Sequence, residues 1–226
     1  MTTSAAVPRT ERTRRAILEA ADACFREYGY ESAKSTEIAR RAGVAEGTVF
    51  LHFGSKAGLL SALTRDFYDL IQAEGERALD TPGDAMTRLR RLVDSWACRI
   101  ESDWNFVSVF AQRTHIDPES EISQTIRALN RRYTRLYVGA IRTAQNDGQL
   151  RKEIPATLIR DIIFGTLEHA ARGQSNAGKR VRVRASSQQM LDMMESRTTA
   201  TAGGSLEVIE SKIDDILRRL PLAEGP

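Results

Sequence analysis

Between residues 35 and 56 the chain holds two short helical patterns separated by Ala42-Gly43-Val44. Neither is long enough to stand alone in water, where helices under about 12–15 residues are marginal. Each must therefore bury its apolar side against the other and against a third partner. Gly43 can take the left-handed conformation that a tight turn requires, and Val44 can pack between the two helices. Ile38, Ala39, Ala42, Val44, Val49 and Phe53 make the apolar set, with Ala39 and Ala42 small enough to let helices cross closely. The third partner lies upstream, where Ile17, Leu18, Ala21, Phe25 and Tyr28 form one stripe at helical spacing until Gly29 ends it. Ser35 or Thr36 is placed to cap the first short helix. A three-helix unit of this kind can set its last helix into the DNA major groove.

The rest of the chain repeats the helical period. Ser55 caps a long helix that buries Leu59, Leu60, Leu63, Phe67 and Ile71, and Thr81-Pro82-Gly83 breaks it. Patterns over about 84–101 and 103–114 follow. Asp117-Pro118 then starts a helix that continues through Ile126, Tyr133 and Ile141 to Asn146-Asp147-Gly148. Pro155 opens the next, with Ile159, Ile163 and Leu167. A polar stretch near 173–187 precedes two last patterns, 187–197 and 205–220. No sustained period-2 alternation occurs, so the fold class is all-α: a helix-turn-helix head over residues 10–55 behind a disordered arm (1–9), and a larger helical part over 56–226.

Composition narrows the function. The chain is 41% hydrophobic and 28% charged, as ordinary globular proteins are, and no apolar run approaches membrane-spanning length. The first residues lack the basic-then-apolar order of a secretory leader, so the expected location is the cytoplasm. Cys24 and Cys98 lie far apart in apolar helical contexts and read as buried free thiols of a reducing compartment. His52, His115 and His169 are scattered, with no cluster at metal-ligand spacing. Residues 173–180 almost spell a phosphate-binding loop, but Arg180 stands where Ser or Thr must hold magnesium, and a helix precedes it instead of a strand. No nucleophile elbow or dinucleotide fingerprint occurs. No cofactor, no metal and no enzymatic activity are expected.

The run Ile38-Ala39-x-x-Ala42-Gly43-Val44-x-x-Gly47-Thr48-x-Phe50-x-His52-Phe53-x-Ser55-Lys56 resembles the TetR family of repressors, with a match from about Arg14 to Leu63. The resemblance implies a homodimer that binds double-stranded operator DNA. It puts Glu46, Gly47, Thr48, Leu51 and His52 on or beside the groove-facing side of the recognition helix. His52 and Lys56 suit phosphate contact, and Lys34, Ser35 and Thr36 surround the N-terminus of the preceding helix, where phosphate can be held. Three positions depart from the family pattern. Ala45 stands where Ser or Thr is frequent, Glu46 where a basic residue is, and Phe50 in place of Tyr. Glu46 repels phosphate yet can accept from cytosine N4. Arg9, Arg12, Arg14 and Arg15 form either a solvated helix start or an arm on the phosphate backbone. The basic run Arg172, Lys179, Arg180, Arg182 and Arg184 reads first as a solvated loop.

The larger part carries most of the aromatics. Trp104, Phe106, Phe110, Arg113, Tyr137 and Phe164 are the candidates for lining a pocket between helices. Ile163-Phe164-Gly165-Thr166-Leu167-Glu168, with Gln112-Arg113 and Tyr133, resembles the sensor half of the family's fatty-acid-metabolism branch. That implies a small hydrophobic effector such as a long-chain acyl-CoA. Two alternatives stand beside it: a different hydrophobic compound, or a C-terminal half that only dimerises. The family resemblance implies dimerisation through about 155–173 and 205–220, which leaves the pattern at 188–197 without a place.

Overall fold

The structure is a computed structural model. It describes residues 8–116 and 120–195, and of residues 105, 109–116 and 121 the backbone only. The described residues are helical, and β pairing among them is a single bridge between Leu150 and Glu195.

Helix α1 (Arg9–Ser32) begins inside the expected arm, of which residues 1–7 lie outside the described residues. It buries Ile17, Leu18, Ala21 and Phe25 as the spacing predicts; Cys24 is buried as expected of its thiol, whereas Cys98, expected to be buried too, is exposed. Tyr28 departs from that stripe: it is exposed, and its hydroxyl accepts a bond from Arg41 at 2.8 Å. Gly29 (φ 75°, ψ 161°) breaks the helix where expected, and one more turn follows across the kink to Ser32. Helices α2 (Ser35–Ala42) and α3 (Glu46–Phe53) are joined as expected, with Gly43 left-handed at φ 68°, ψ 32°. Ile38 and Ala39 are buried on the side facing α1, Val49 is buried in the same core, and Ala42, Val44 and Phe53 pack partly buried around them. A unit this small gains its stability from that shared apolar surface, about 1.5–3 kcal/mol for each large side chain buried.

Helix α4 (Lys56–Leu79) starts on the Ser55 cap, whose Oγ accepts the Gly58 amide at 3.0 Å. Its buried residues include the five expected. Helix α5 (Ala85–Ile116) consists of two helical stretches joined across a kink at Asp103 (φ −140°, ψ 27°), where the break between two helices was expected. Asp117-Pro118 lies outside the described residues; α6 (Glu121–Asn146) is capped by Ser120. Helices α7 (Ala156–Asn176) and α8 (Arg184–Met194) complete the described fold. Helix α5 is central, touching α1, α4, α6, α7 and α8.

Helix α8 fills the place left open for the 188–197 pattern. Met190 and Leu191 are buried, and Arg90 on α5 donates to Gln188, Asp192 and Glu195. The basic run is not uniformly solvated, since Arg184 donates to both oxygens of Asp94 at 2.8 Å. The 205–220 pattern lies outside the described residues.

Candidate nucleic-acid interface and sensor core

Helix α3 packs through Val49 and Phe53, which leaves its opposite side outward. Successive residues of an α-helix are turned by about 100°, so Phe50, Gly47 and Leu51 share that outward side. Leu51 is 84% exposed and Phe50 42%, and a Cβ added at Gly47 would meet nothing within 4 Å. Thr48 and His52 sit half-buried at one edge of the strip, and Glu46 half-buried at the other.

Three of the expected contact residues are placed differently from the sequence reading. Ser35 does not cap α2 through its side chain; its hydroxyl donates to Glu46 Oε1 at 2.6 Å across the turn. Its only proton is thereby committed, so the Ser35 hydroxyl does not hold phosphate in this arrangement. Glu46 is drawn back toward α2 and not out toward a groove. Lys56 Nζ donates to the Glu31 carbonyl at 2.9 Å and lies 4.7 Å from the Tyr30 ring centroid, which pins α4 to the end of α1. Lys34 and Thr36 are exposed at the start of α2, where the helix dipole favours an anion. Arg14, His52, Ser55 and Arg65 line one open cleft where α1, α3 and α4 meet. Arg65 was not singled out in the sequence, because it is one polar residue of an amphipathic helix until folding brings it there.

A charge network braces the head from behind. Glu37 accepts from Arg40 at 2.8 and 2.7 Å and from Arg41 at 2.7 Å, and Arg41 also pairs with Glu27 at 2.8 Å. Hydrogen bonds from Arg40 and then Arg41 hold the Glu37 carboxyl at about 2, below the ordinary 4.5.

The head also meets the larger part at a polar junction around Arg26 and Asp103. Arg26 donates to Asp22 at 2.8 Å and to Asp103 at 3.1 Å, and its guanidinium lies 4.7 Å from the Phe106 ring centroid. Asp103 is the residue at which α5 bends. Arg99, four residues earlier, lies 3.7 Å from Asp103 and also pairs with Glu74 of α4. Phe106 meets Phe67 of α4 edge-on at 5.3 Å.

Behind the junction is an aromatic core. Trp96, Tyr133, Tyr137 and Phe164 make mutual ring contacts between 4.8 and 6.1 Å. The Tyr133 and Tyr137 hydroxyls bond at 2.9 Å, and Tyr137 donates to the Leu92 carbonyl at 3.2 Å. Burial pushes both phenols upward, so they stay neutral hydrogen-bonding groups. The buried Trp96 indole N–H finds no hydrogen-bond partner among the described residues, an arrangement that costs about 1–3 kcal/mol. Of the expected lining residues, Tyr137 and Phe164 belong to this cluster, and Phe106 lies at the junction with Trp104 nearby, beneath Arg172 at 6.0 Å. The side chains of Phe110 and Arg113 lie outside the described residues. Trp96 and Tyr133 were not among the expected lining residues, although Tyr133 is part of the sensor-half resemblance.

A short exposed helix set on a left-handed glycine turn, ion-paired at its base to a larger helical core, is the arrangement of a DNA-binding regulator of the helix-turn-helix class. Residues 17–63 match the family described as bacterial regulatory proteins, tetR family, and residues 67–195 match the YsiA-like protein, C-terminal region. The chain belongs to the TetR family of transcriptional regulators. It is 24% identical over 152 residues to the fatty acid metabolism regulator protein of Bacillus subtilis, covering 67% of this chain and 78% of that one. Among solved structures, the transcriptional regulator FadR from B. subtilis, in complex with stearoyl-CoA, has a TM-score of 0.69 at 22% identity. That match covers 79% of this chain and 96% of the other. A transcriptional regulator from Saccharomonospora viridis, in complex with choline, has a TM-score of 0.73 at 22% identity, covering 83% and 100%. No described helix is long and apolar enough to cross a membrane, and no metal-binding group of His, Cys, Asp or Glu occurs among the described residues.

Proposed function

We propose that this regulator is a cytoplasmic repressor whose dimer leaves its operator when a small hydrophobic effector, such as a long-chain acyl-CoA, enters the aromatic core. Residues 10–55 form the DNA-binding head, and residues 56–226 form the sensing and dimerising part. Gly47 and Leu51 face the groove, with Glu46, Thr48 and His52 at its edges. Lys34, Thr36 and the start of α2 lie along the phosphates, with Lys56 and the Ser35 hydroxyl acting from behind to hold the helices in place. Two heads about one DNA turn apart (~34–36 Å) enter successive major grooves. The partly exposed apolar residues Leu158 on α7 and Met193 on α8 suit burial against a second copy.

The observation that carries this reading is the Arg26–Asp103 pair at the bend of α5. A ligand that displaces residues 103–116 moves Asp103, and with it α1 and the recognition helix. A difference of a few kcal/mol in its affinity for the two arrangements suffices to empty the operator. The unpartnered Trp96 N–H would welcome a ligand oxygen, as an acyl group provides. The stearoyl-CoA held by the Bacillus regulator supports an acyl-CoA. The choline held by the Saccharomonospora regulator favours a second reading, in which the effector is a different compound.

The test is selection of duplexes from a random pool by the purified protein, followed by competition with a long-chain acyl-CoA. Enrichment of a two-fold symmetric sequence that acyl-CoA releases is expected. An enriched sequence indifferent to acyl-CoA overturns the effector, and no enrichment overturns DNA recognition.

A further inference from the structure

The outward strip of α3 is unusual chemistry for reading bases. The helix, Glu46-Gly47-Thr48-Val49-Phe50-Leu51-His52-Phe53, contains no Arg, Lys, Asn or Gln. Bidentate recognition of guanine by Arg or Lys, and of adenine by Asn or Gln, is therefore absent from it. The one carboxylate, Glu46, is held back by Ser35 at 2.6 Å. What remains at the centre of the strip is a glycine flanked by two apolar side chains. Leu51 contributes nothing to the core that the structure describes, being 84% exposed, so its cost in water is uncompensated in the free protein. The bare backbone at Gly47 lets the helix lie close to the base edges, bringing Leu51 within van der Waals reach. The only base-edge group in the major groove that an aliphatic chain can recognise is the thymine C5 methyl.

We propose that Leu51 is a specificity-determining residue that reads a thymine methyl in each operator half-site, with Phe50 covering the adjacent apolar edge. This rests on the DNA-binding reading above. Uracil pairs as thymine does and lacks only the methyl, so thymine-to-uracil replacement isolates the contact. Burial of one methyl-sized group corresponds to about fourfold in affinity, and to about fifteenfold when both half-sites of a dimer's operator change.

The experiment takes a fluorescein-labelled duplex selected by the full-length protein and replaces each thymine with uracil in turn. At one position per half-site, uracil is expected to weaken binding by those factors. Leu51→Ala is expected to bind thymine and uracil duplexes equally, as tightly as the unmodified protein binds the uracil duplex. Leu51 is exposed, so this variant keeps its fold, which a matching thermal melt confirms. A selected half-site with no fixed thymine overturns the proposal. So does wild-type binding that ignores every replacement, or a Leu51→Ala protein that still discriminates. Failure to select any duplex overturns the DNA-binding reading itself and is thus told apart from failure of the Leu51 contact.

Discussion

Arg26 on α1 donates to Asp103 at 3.1 Å across a separation of 77 residues, joining the DNA-binding head to the single bend in α5. The pair is partly shielded, with Arg26 33% and Asp103 15% exposed. Arg26 is also stacked on Phe106 and shared with Asp22, so its position is determined from three sides. The proposed switch would part this pair, which is made in the arrangement described here.

Asp103→Asn keeps the size of the side chain and removes its charge. The expected loss of stability is about 1–3 kcal/mol, below that of a fully buried pair because water screens this one. The sharper expectation concerns coupling. Asp103→Asn and Arg26→Gln still bind operator, but effector no longer releases either, and the double variant is no worse than each single one. Operator titrations with and without effector check this, and normal release by either variant contradicts the proposed route.

Glu37 gives a pH signature. Its carboxyl is depressed from 4.5 to about 2 by Arg40 and Arg41, so the folded state favours the ionised form. The stabilisation is fully present above about pH 4.5 and fades as pH falls toward about 2. The melting temperature of Glu37→Gln should therefore lie below that of wild type at neutral pH and converge on it in acid. A gap that is constant with pH contradicts the assignment.

Gly43 sits left-handed with open space around its missing Cβ. Substitution there meets backbone strain without a steric clash. Gly43→Ala is expected to cost about 1 kcal/mol and Gly43→Asn clearly less, since Asn tolerates this conformation. Chemical denaturation of the two variants measures the difference. Equal costs would place the penalty elsewhere than in the turn.

The helix-turn-helix was legible because its determinants are local: a glycine at the turn, small residues at the crossing and apolar residues at helical spacing, all within about twenty positions. The outward placement of Gly47 and Leu51 was implied by the family resemblance, and their exposure agrees with it. What could not be read were relationships between distant residues. Ser35–Glu46 looked like two independent DNA contacts, and folding turned them into one internal hydrogen bond. Arg26 and Asp103 are single charges on separate helices with no pattern to link them. The change of direction at Asp103 was seen as a gap between two helices, which is how a bend appears when only periodicity is available. Helix α8 had no evident place because its seat is made by Arg90 and Asp94, nearly a hundred residues away.

Both tryptophans of the chain, Trp96 and Trp104, are buried in α5. With Trp104→Phe, emission reports on Trp96 alone, in contact with Tyr133 and Phe164. Saturable binding of a long-chain acyl-CoA in the aromatic core should shift that emission, with the same midpoint as operator release. Release without any change in Trp96 emission would place the effector outside this core.

The central claim is that the effector and operator sites are coupled through one conformational equilibrium, and coupling of this kind is reciprocal. The direct measurement is therefore the affinity for a long-chain acyl-CoA with and without saturating operator duplex, alongside operator affinity with and without acyl-CoA. Both ratios are expected to agree, at roughly 5–150-fold for a coupling of ordinary size. Ratios of one on both axes, with tight binding of each ligand, would contradict a ligand-released regulator.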